Sequence, residues 1–255
     1  MKSITLVALF GAASLLLAAP AAHADGRSGQ MQNVGWSSVT GSGKLQTETR
    51  NVTGFQGIAT AGSIRLVLRQ GTREGVELRA DDNILPLIET RVVDRSGVPT
   101  LEVHTKSGAS YSSRNPVVAT IDLITLRALT VVGSGDVVGE ALKTPNLRLV
   151  AAGSASIKLR QLAVDELSAK VAGSGDLELA GRAGVFALVV AGSGDANTRG
   201  LEADEASVAV AGSGDASVNA RKTLSISVAG SGSVAYTGSA NVKTAIAGSG
   251  SVKKL

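Results

Sequence analysis

The sequence has no cysteine and very few aromatic side chains. Of its 255 residues, one is Trp, two are Tyr and three are Phe. Without thiols the chain cannot form disulfides, zinc–thiolate sites or a cysteine nucleophile. Few rings leave few stacking platforms for bases or sugars. Glycine is abundant, at 31 residues, and 44% of the chain is hydrophobic, so a core must be built mainly from aliphatic side chains.

The chain also lacks a strong charge and, beyond its N-terminus, a long hydrophobic run. It has 25 Lys and Arg against 21 Asp and Glu, and the basic residues do not form a run that could follow a phosphate backbone. Nucleic acid is therefore not expected as a partner. Because no later stretch of about 18 residues is apolar, no membrane span is expected after the N-terminal segment.

Residues 1–24 have the pattern of a secretory signal peptide. A basic Lys2 precedes an apolar segment, and Ala22-His23-Ala24 forms a small-residue cleavage motif, which predicts cleavage between Ala24 and Asp25. Export would place the protein in the periplasm or outside the cell. The following Gly/Ser-rich residues 25–44 predict a flexible tether, and 45–255 are predicted to form one domain.

Seven short glycine turns recur through the C-terminal half of the chain. Each has a sequence close to Ala-Gly-Ser-Gly-Asp, and the spacing from one turn to the next is 18 to 20 residues. Such a regular period is the signature of a repeat architecture. The first glycines of the seven turns are Gly133, Gly153, Gly173, Gly192, Gly212, Gly230 and Gly248.

The residues before each turn alternate between apolar and polar. Leu167, Ala169 and Val171, for example, are separated by Ser168 and Lys170, which is the period-2 pattern of a strand with one buried face. A unit of this length spans roughly 60 Å when extended, enough for one coil of a parallel β-solenoid with coils about 4.8 Å apart. Helical repeats are excluded because no 3.6-residue period is present, and a propeller blade needs about twice the length.

Two further segments complete a recognisable pattern. They are NVTGFQGIATAGSIRLVLRQGTREGVELRADDNILPLIETRV (51–92) and PVVATIDLITLRALTVVGSGDV (116–137), followed by the serial AGSGD turns. Together they resemble the bacterial GIN domain, a family described as an auto-transporter adhesin head domain and classed as a domain of unknown function. The resemblance implies a right-handed, pectate-lyase-like parallel β-helix over 45–255 and a cell-envelope or extracellular setting.

The repeat places three acidic residues at one position of successive coils. Asp176, Asp195 and Asp215 each follow a glycine turn, so stacking predicts a column of carboxylates. One interpretation is that these side chains bond the turn backbone. The alternative is a Ca²⁺ site, the one cofactor considered for this chain, although the Asp position differs from that of the Ca²⁺-binding nonapeptide repeat.

One polar segment, 104–116, departs from the regular alternation. It contains His104, Tyr111 and Arg114 and is a candidate for a loop-borne ligand site. The alternative is a solvated surface loop without a binding role.

Enzyme chemistry has little support in the sequence. The glycine turns do not match the phosphate-binding motifs, and His104 is the one histidine outside the predicted signal, without a nucleophile motif beside it. The leading hypothesis is an exported, non-enzymatic module that adheres to an envelope or cell-surface protein or glycan. The alternatives are a periplasmic scaffold and a polysaccharide-active β-helix enzyme.

The ends of a solenoid expose strand edges. This predicts end-to-end dimerisation, or coverage of the last coil by the N-terminal segment.

Overall fold

The computed structural model describes residues 38–255, which form β-strands and a single turn of 3₁₀ helix at Leu85–Leu87. The predicted all-β solenoid is confirmed. The strands are β1 (Ser38–Thr40), β2 (Leu45–Arg50), β3 (Gly57–Gly62), β4 (Arg65–Gln70), β5 (Gly75–Asp81), β6 (Ile88–Arg95), β7 (Val98–Thr105), β8 (Ser110–Ser112), β9 (Val118–Leu123), β10 (Ala128–Gly133), β11 (Asp136–Gly139), β12 (Leu142–Gly153), β13 (Ser156–Gly173), β14 (Asp176–Gly192), β15 (Ala196–Gly212), β16 (Ala216–Gly230), β17 (Ser233–Thr237), β18 (Asn241–Gly248) and β19 (Ser251–Lys254).

The predicted cleavage site at Ala24 and Asp25, and residues 25–37 of the predicted tether, lie outside the described residues.

The turn glycines stack on one another in register. Each pairs with the glycine of the next coil, from Gly133 through to Gly248, so the coil length of 18 to 20 residues is the true repeat. The column also contains an eighth member, Gly62, which pairs with Gly133. The sequence AGSI at 61–64 is therefore an additional turn of the same kind, which the repeat analysis missed because 71 residues separate it from the next one.

Hydrogen bonds between coils explain the Gly-Ser-Gly sequence of the turn. The carbonyl oxygen of Gly192 accepts the N–H of Ser213 at 2.9 Å and the N–H of Gly214 at 3.1 Å. The same two bonds join Gly173 to Ser193 and Gly194. In these coils one carbonyl thus holds two consecutive amides of the next coil, which fixes the corner in register.

Both glycines of the turn are sterically required. A Cβ on Gly212 would lie 2.2 Å from the carbonyl oxygen of Gly192, and one on Gly214 would lie 2.2 Å from that of Gly194. Gly212 also has a φ of +128°, a conformation that residues with a side chain rarely adopt. Close backbone stacking therefore requires glycine at both positions of this turn, whereas the second position holds Ala155 in one coil and Ile64 in the N-terminal turn.

Inside the coils, the alternating apolar residues form stacked ladders. Val131, Ala151, Val171, Val190, Val210 and Val228 follow one another in a single column, and each is at most 2% exposed. The inward parity predicted from the sequence is confirmed for these coils. The interior is almost wholly aliphatic, with Phe55 and Phe186 as its buried rings.

The N-terminal end of the solenoid does not follow chain order. The coil formed by β3 and β4 lies between the β7/β9 coil and the β10/β11 coil. The chain therefore leaves the stack after β4, builds the coil below it and then returns above it. Residues 71–127 make this excursion.

Antiparallel strands close this end. β5 pairs with the outer edge of β9, and β6 pairs with the outer edge of β7. β2 then adds to β5. The side chain of Arg50 on β2 donates to the carbonyl oxygens of Leu85 and Ile88 and so ties β2 to the 3₁₀ turn and β6.

The tether predicted for 25–44 does not extend to residue 44. β1 pairs in parallel with β8, and the N–H of Gly41 donates to the carbonyl of Ser112 at 2.8 Å. The side chain of Asn83 donates to the carbonyl of Thr40 at 2.8 Å. The polar composition of this stretch reflects an edge position with few buried side chains rather than an unattached chain.

The stacking geometry predicts that a methyl group at the corner is costly. Gly212→Ala should lower the free energy of unfolding by about 2–3 kcal/mol, because it combines a strained φ with a backbone clash. Urea unfolding followed by far-UV circular dichroism measures the change. Gly71→Ala is the matched control, since nothing lies within 4 Å of a Cβ there and its φ is not in the restricted range. An equal loss in both variants would contradict the stacking argument.

Candidate ligand-binding surface

Two guanidinium groups and an imidazole surround one buried carboxylate on the outer face of the β6–β7 hairpin. Glu102 is 7% exposed and receives Arg91 Nε at 2.8 Å on one oxygen and Arg95 Nε at 2.9 Å on the other. His104 Nε2 lies 3.8 Å from the same carboxylate. These residues line a depression of about 210 Å³ together with Thr130 and Val132 of β10.

The two guanidinium groups control the charge of this cluster. Their hydrogen bonds to Glu102, with Arg95 contributing most, lower the pKa of its carboxyl group below the usual range. The same contact raises the pKa of Arg91. Glu102 is therefore an anion that is already satisfied, which makes it a structural support for the hairpin rather than a general acid.

The structure does not bring the three predicted loop residues together. His104 and Glu102 line the same depression. Neither Tyr111 nor Arg114 is among the other residues that line it. Tyr111 lies on β8, paired with Val39, and packs against the core, whereas Arg114 is exposed. The ligand role of His104, Tyr111 and Arg114 stays a prediction.

Asp81 holds the segment that carries Tyr111 and Arg114. Its carboxylate is 1% exposed and accepts the hydroxyl of Ser113 at 2.6 Å and the amide of Asn115 at 2.7 Å. The Ser113 bond, followed by the Asn115 bond, lowers the pKa of Asp81. No sequence motif points to this role of Asp81, because its partners are more than 30 residues away in the chain.

The aspartates of the repeat share one exposed corner position. Asp195 Oδ1 accepts the backbone N–H of Asp215 at 3.1 Å, and Asp215 Oδ1 accepts the N–H of Ser233 at 2.8 Å. These carboxylates therefore bond the backbone of the following coil rather than their own turn. Asp176 is exposed at the same position. Within residues 38–255, no group of three or more His, Cys, Asp or Glu side chains is arranged to hold a metal ion.

A larger cleft lies at the second corner of the coils, where β4, β11 and β13 stack. It has a volume of about 520 Å³. Its apolar lining comes from the stacked Val67 and Val138, and its charged lining comprises Arg69, Lys158, Arg160 and one acid, Glu140. Arg69 is paired with Asp122 at 2.9 Å, and Lys158 with Glu178. Arg160 is exposed and has no ion-pair partner among the described residues, so its guanidinium is available to a ligand.

A second depression, of about 690 Å³, adjoins this cleft through Gln70 and Ala141. Between them, the side-chain amide of Gln70 donates to the carbonyls of Ile124 and Lys143 at 2.8 and 2.9 Å and accepts the N–H of Lys143 at 2.7 Å. The corner is thereby fixed by one polar side chain. We call the two depressions together the corner groove.

Sequence reasoning did not select the corner groove. The available signal was the turn at Gly62, since Val67, Val138 and Lys158 each lie five residues after a turn glycine and so stack in one column.

The geometry can now be compared with known proteins. A family described as "Putative auto-transporter adhesin, head GIN domain" matches residues 54–240, a segment that contains the N-terminal coil, the excursion and most of the glycine column. The chain belongs to the GIN domain family. Comparison with curated proteins gives no match.

Solved structures show the same GIN domain architecture. A putative adhesin from Bacteroides fragilis has 29% sequence identity and a TM-score of 0.77, covering 85% of this chain and 100% of its own. A putative lipid binding protein from Parabacteroides distasonis has 24% identity and a TM-score of 0.70, covering 86% of this chain and 100% of its own. A putative adhesin from Parabacteroides distasonis has 24% identity and a TM-score of 0.67, with the same coverage. The last two likenesses concern the fold alone.

No helix in the described part of this GIN domain has the length and hydrophobicity needed to cross a membrane.

The Glu102 cluster predicts a pH-dependent stability. Because the folded-state pKa is below the ordinary value of 4.5, the stabilisation is complete above that pH and is lost as the pH falls through the folded-state pKa. Glu102→Gln should lower the free energy of unfolding by about 1–2 kcal/mol at pH 7. Urea titrations from pH 7 to about pH 2 should show the two proteins converging in acid.

Glu89→Gln is the control, since Glu89 lies 3.7 Å from Arg91 at a more exposed position and should change stability by less than about 0.5 kcal/mol. A constant difference between wild type and Glu102→Gln at every pH would contradict the assignment.

Calcium binding at Asp176, Asp195 and Asp215 also stays a prediction. A Ca²⁺ ladder would raise the melting temperature in millimolar Ca²⁺ relative to EDTA, because a ligand that binds only the folded state stabilises it. The triple Asp→Asn variant should lose that shift. Identical melting curves of the wild-type protein in Ca²⁺ and in EDTA would contradict calcium binding at these aspartates.

Proposed function

We propose that this GIN domain protein is an exported, adhesin-type module of the cell envelope that binds a partner and does not catalyse a reaction. The family description and the adhesin named from Bacteroides fragilis support the binding role. The sequence pattern of residues 1–24 supports export.

The observation that carries the proposal is the corner groove. It consists of two adjoining depressions along the side of the stack, combines apolar lining with charged lining that is mainly cationic, and contains an arginine without an ion-pair partner among residues 38–255. An extended ligand with carboxylate or sulfate groups matches this chemistry, because guanidinium groups bind such anions in a bidentate manner. We therefore propose an acidic glycan as the ligand class.

The surroundings of His104, the one histidine among residues 38–255, favour binding over catalysis. His104 Nδ1 lies 3.0 Å from the carbonyl of Thr105, and its other ring nitrogen faces Glu102. Neither neighbour is a hydroxyl nucleophile that the imidazole could activate.

Arg160 provides the sharpest test of the corner groove. Titration of the purified protein with polygalacturonate oligosaccharides by calorimetry should detect binding, and Arg160→Ala should weaken it about fivefold, the loss of ~1 kcal/mol expected for one charge-assisted contact. The matched control is Arg199→Ala, which removes an exposed arginine at a different place in the stack.

The same samples distinguish the alternatives. Binding without new reducing ends or unsaturated products supports an adhesin-type module, whereas product formation would indicate a polysaccharide-active enzyme. Equal binding by the two arginine variants would exclude the corner groove. No binding of this probe would overturn the acidic-glycan proposal and leave the scaffold hypothesis in its place.

A further inference from the structure

The last coil has an open interior. Ile246 of β18 is 47% exposed, whereas Val228, Val210 and Val190, which occupy the same position in the preceding coils, are at most 2% exposed. The difference arises because each of those residues is covered by a following coil. Ile246 occupies the position of a core residue, but no following coil covers its side chain among the described residues.

The backbone of the last coil is also available. Within residues 38–255, β18 pairs only with β16, and β19 pairs only with β17. A parallel strand bonded on one side leaves alternating N–H and C=O groups along its other side. The edge of β18 and β19, which we call the terminal edge, can therefore accept an additional strand.

The charge of the terminal edge is of one sign. From Ala216 to Leu255 the chain contains no Asp or Glu, but it contains five basic residues. Two of them are matched by acids of the coil before, with Lys222 Nζ 2.8 Å from Asp204 and Arg221 Nη1 3.3 Å from Glu202. The remaining three, Lys243, Lys253 and Lys254, have no ion-pair partner in the described part of the chain.

Ion pairs between successive coils occur elsewhere in the stack. Lys158 and Glu178 are a further example, at directly paired positions of β13 and β14. A strand that continued this pattern over β18 and β19 would place acidic side chains opposite Lys243 and Lys253.

A second copy of this chain would not continue the stack of parallel coils. Two terminal edges meeting face to face would oppose lysine with lysine, which is unfavourable for like charges on adjacent strands. In a head-to-tail arrangement the terminal edge would meet the antiparallel strands β2 and β6 rather than a further parallel coil.

We propose that the terminal edge docks an extended, acidic segment of a partner protein as an additional β-strand, with an apolar side chain of that segment covering Ile246. Main-chain hydrogen bonds would supply affinity, and the lysines would select for acidic residues, as in strand addition generally. This inference is independent of the corner groove and of any glycan.

A pair of peptides tests the inference. One has the sequence of residues 241–253 with glutamate in place of both lysines, and the other has the native lysines. Stacked in parallel register, the first places its glutamates opposite Lys243 and Lys253. Fluorescence anisotropy should show the acidic peptide binding the purified protein about tenfold more tightly than the lysine peptide, with a difference that shrinks at high salt.

Reversing the charge of the protein separates this effect from misfolding. Lys243→Glu/Lys253→Glu should reverse the preference between the two peptides. Lys170→Glu replaces an exposed lysine on the same outer face in a middle coil. This substitution should leave the preference between the two peptides unchanged. A retained preference for the acidic peptide in the double variant would overturn the proposal, as would no detectable binding of either peptide to the wild-type protein. Light scattering gives a further outcome. If the wild-type protein is a dimer and the double variant is a monomer, the terminal edge binds a second copy of this chain, which would also overturn the proposal.

Discussion

The carbonyl oxygen of the first turn glycine is the group on which the stack depends. In the middle coils it accepts two amides of the following coil, and the backbones approach this closely because the first turn glycine carries no Cβ that would clash with the coil beneath it. The corner brings successive coils into register, and register then places each apolar ladder over the one below it. Burial supplies most of the stabilisation, but the corner decides which residues are buried.

The same constraint explains the composition. Glycine, alanine and serine fill the corners, and the narrow interior between stacked strands is filled by Val, Leu and Ile. The two buried rings are Phe55, just before β3 in the N-terminal coil, and Phe186 on β14. The outward positions are free of this constraint, so charged side chains appear there and pair from coil to coil, as Lys222 does with Asp204.

The repeat, its period and its buried parity could be predicted from the sequence because they recur locally. The N-terminal end could not. Gly62 belongs to the glycine column, but the excursion that follows it breaks the 18- to 20-residue period. The strands β5 and β6 have the same apolar–polar alternation as the parallel strands, so their sequences do not reveal that they pair in the antiparallel direction. The corner groove was equally hidden, since Gln70 and Lys143 are 73 residues apart and neither residue belongs to a motif. His104 and Tyr111 were selected because they are close in the chain. In the structure His104 lines the depression beside Glu102, whereas Tyr111 packs against the core.

The excursion at the N-terminal end also has a consequence for how the molecule is assembled. The coil of β3 and β4 acquires neighbours on both sides only after residues 71–127 have formed the layer beneath it and β10 has returned above it. From that point every further coil contacts only the one before it, so structure can propagate in one dimension as successive repeats are synthesised. During synthesis the glycine column would therefore extend from the N-terminal unit towards the C-terminus.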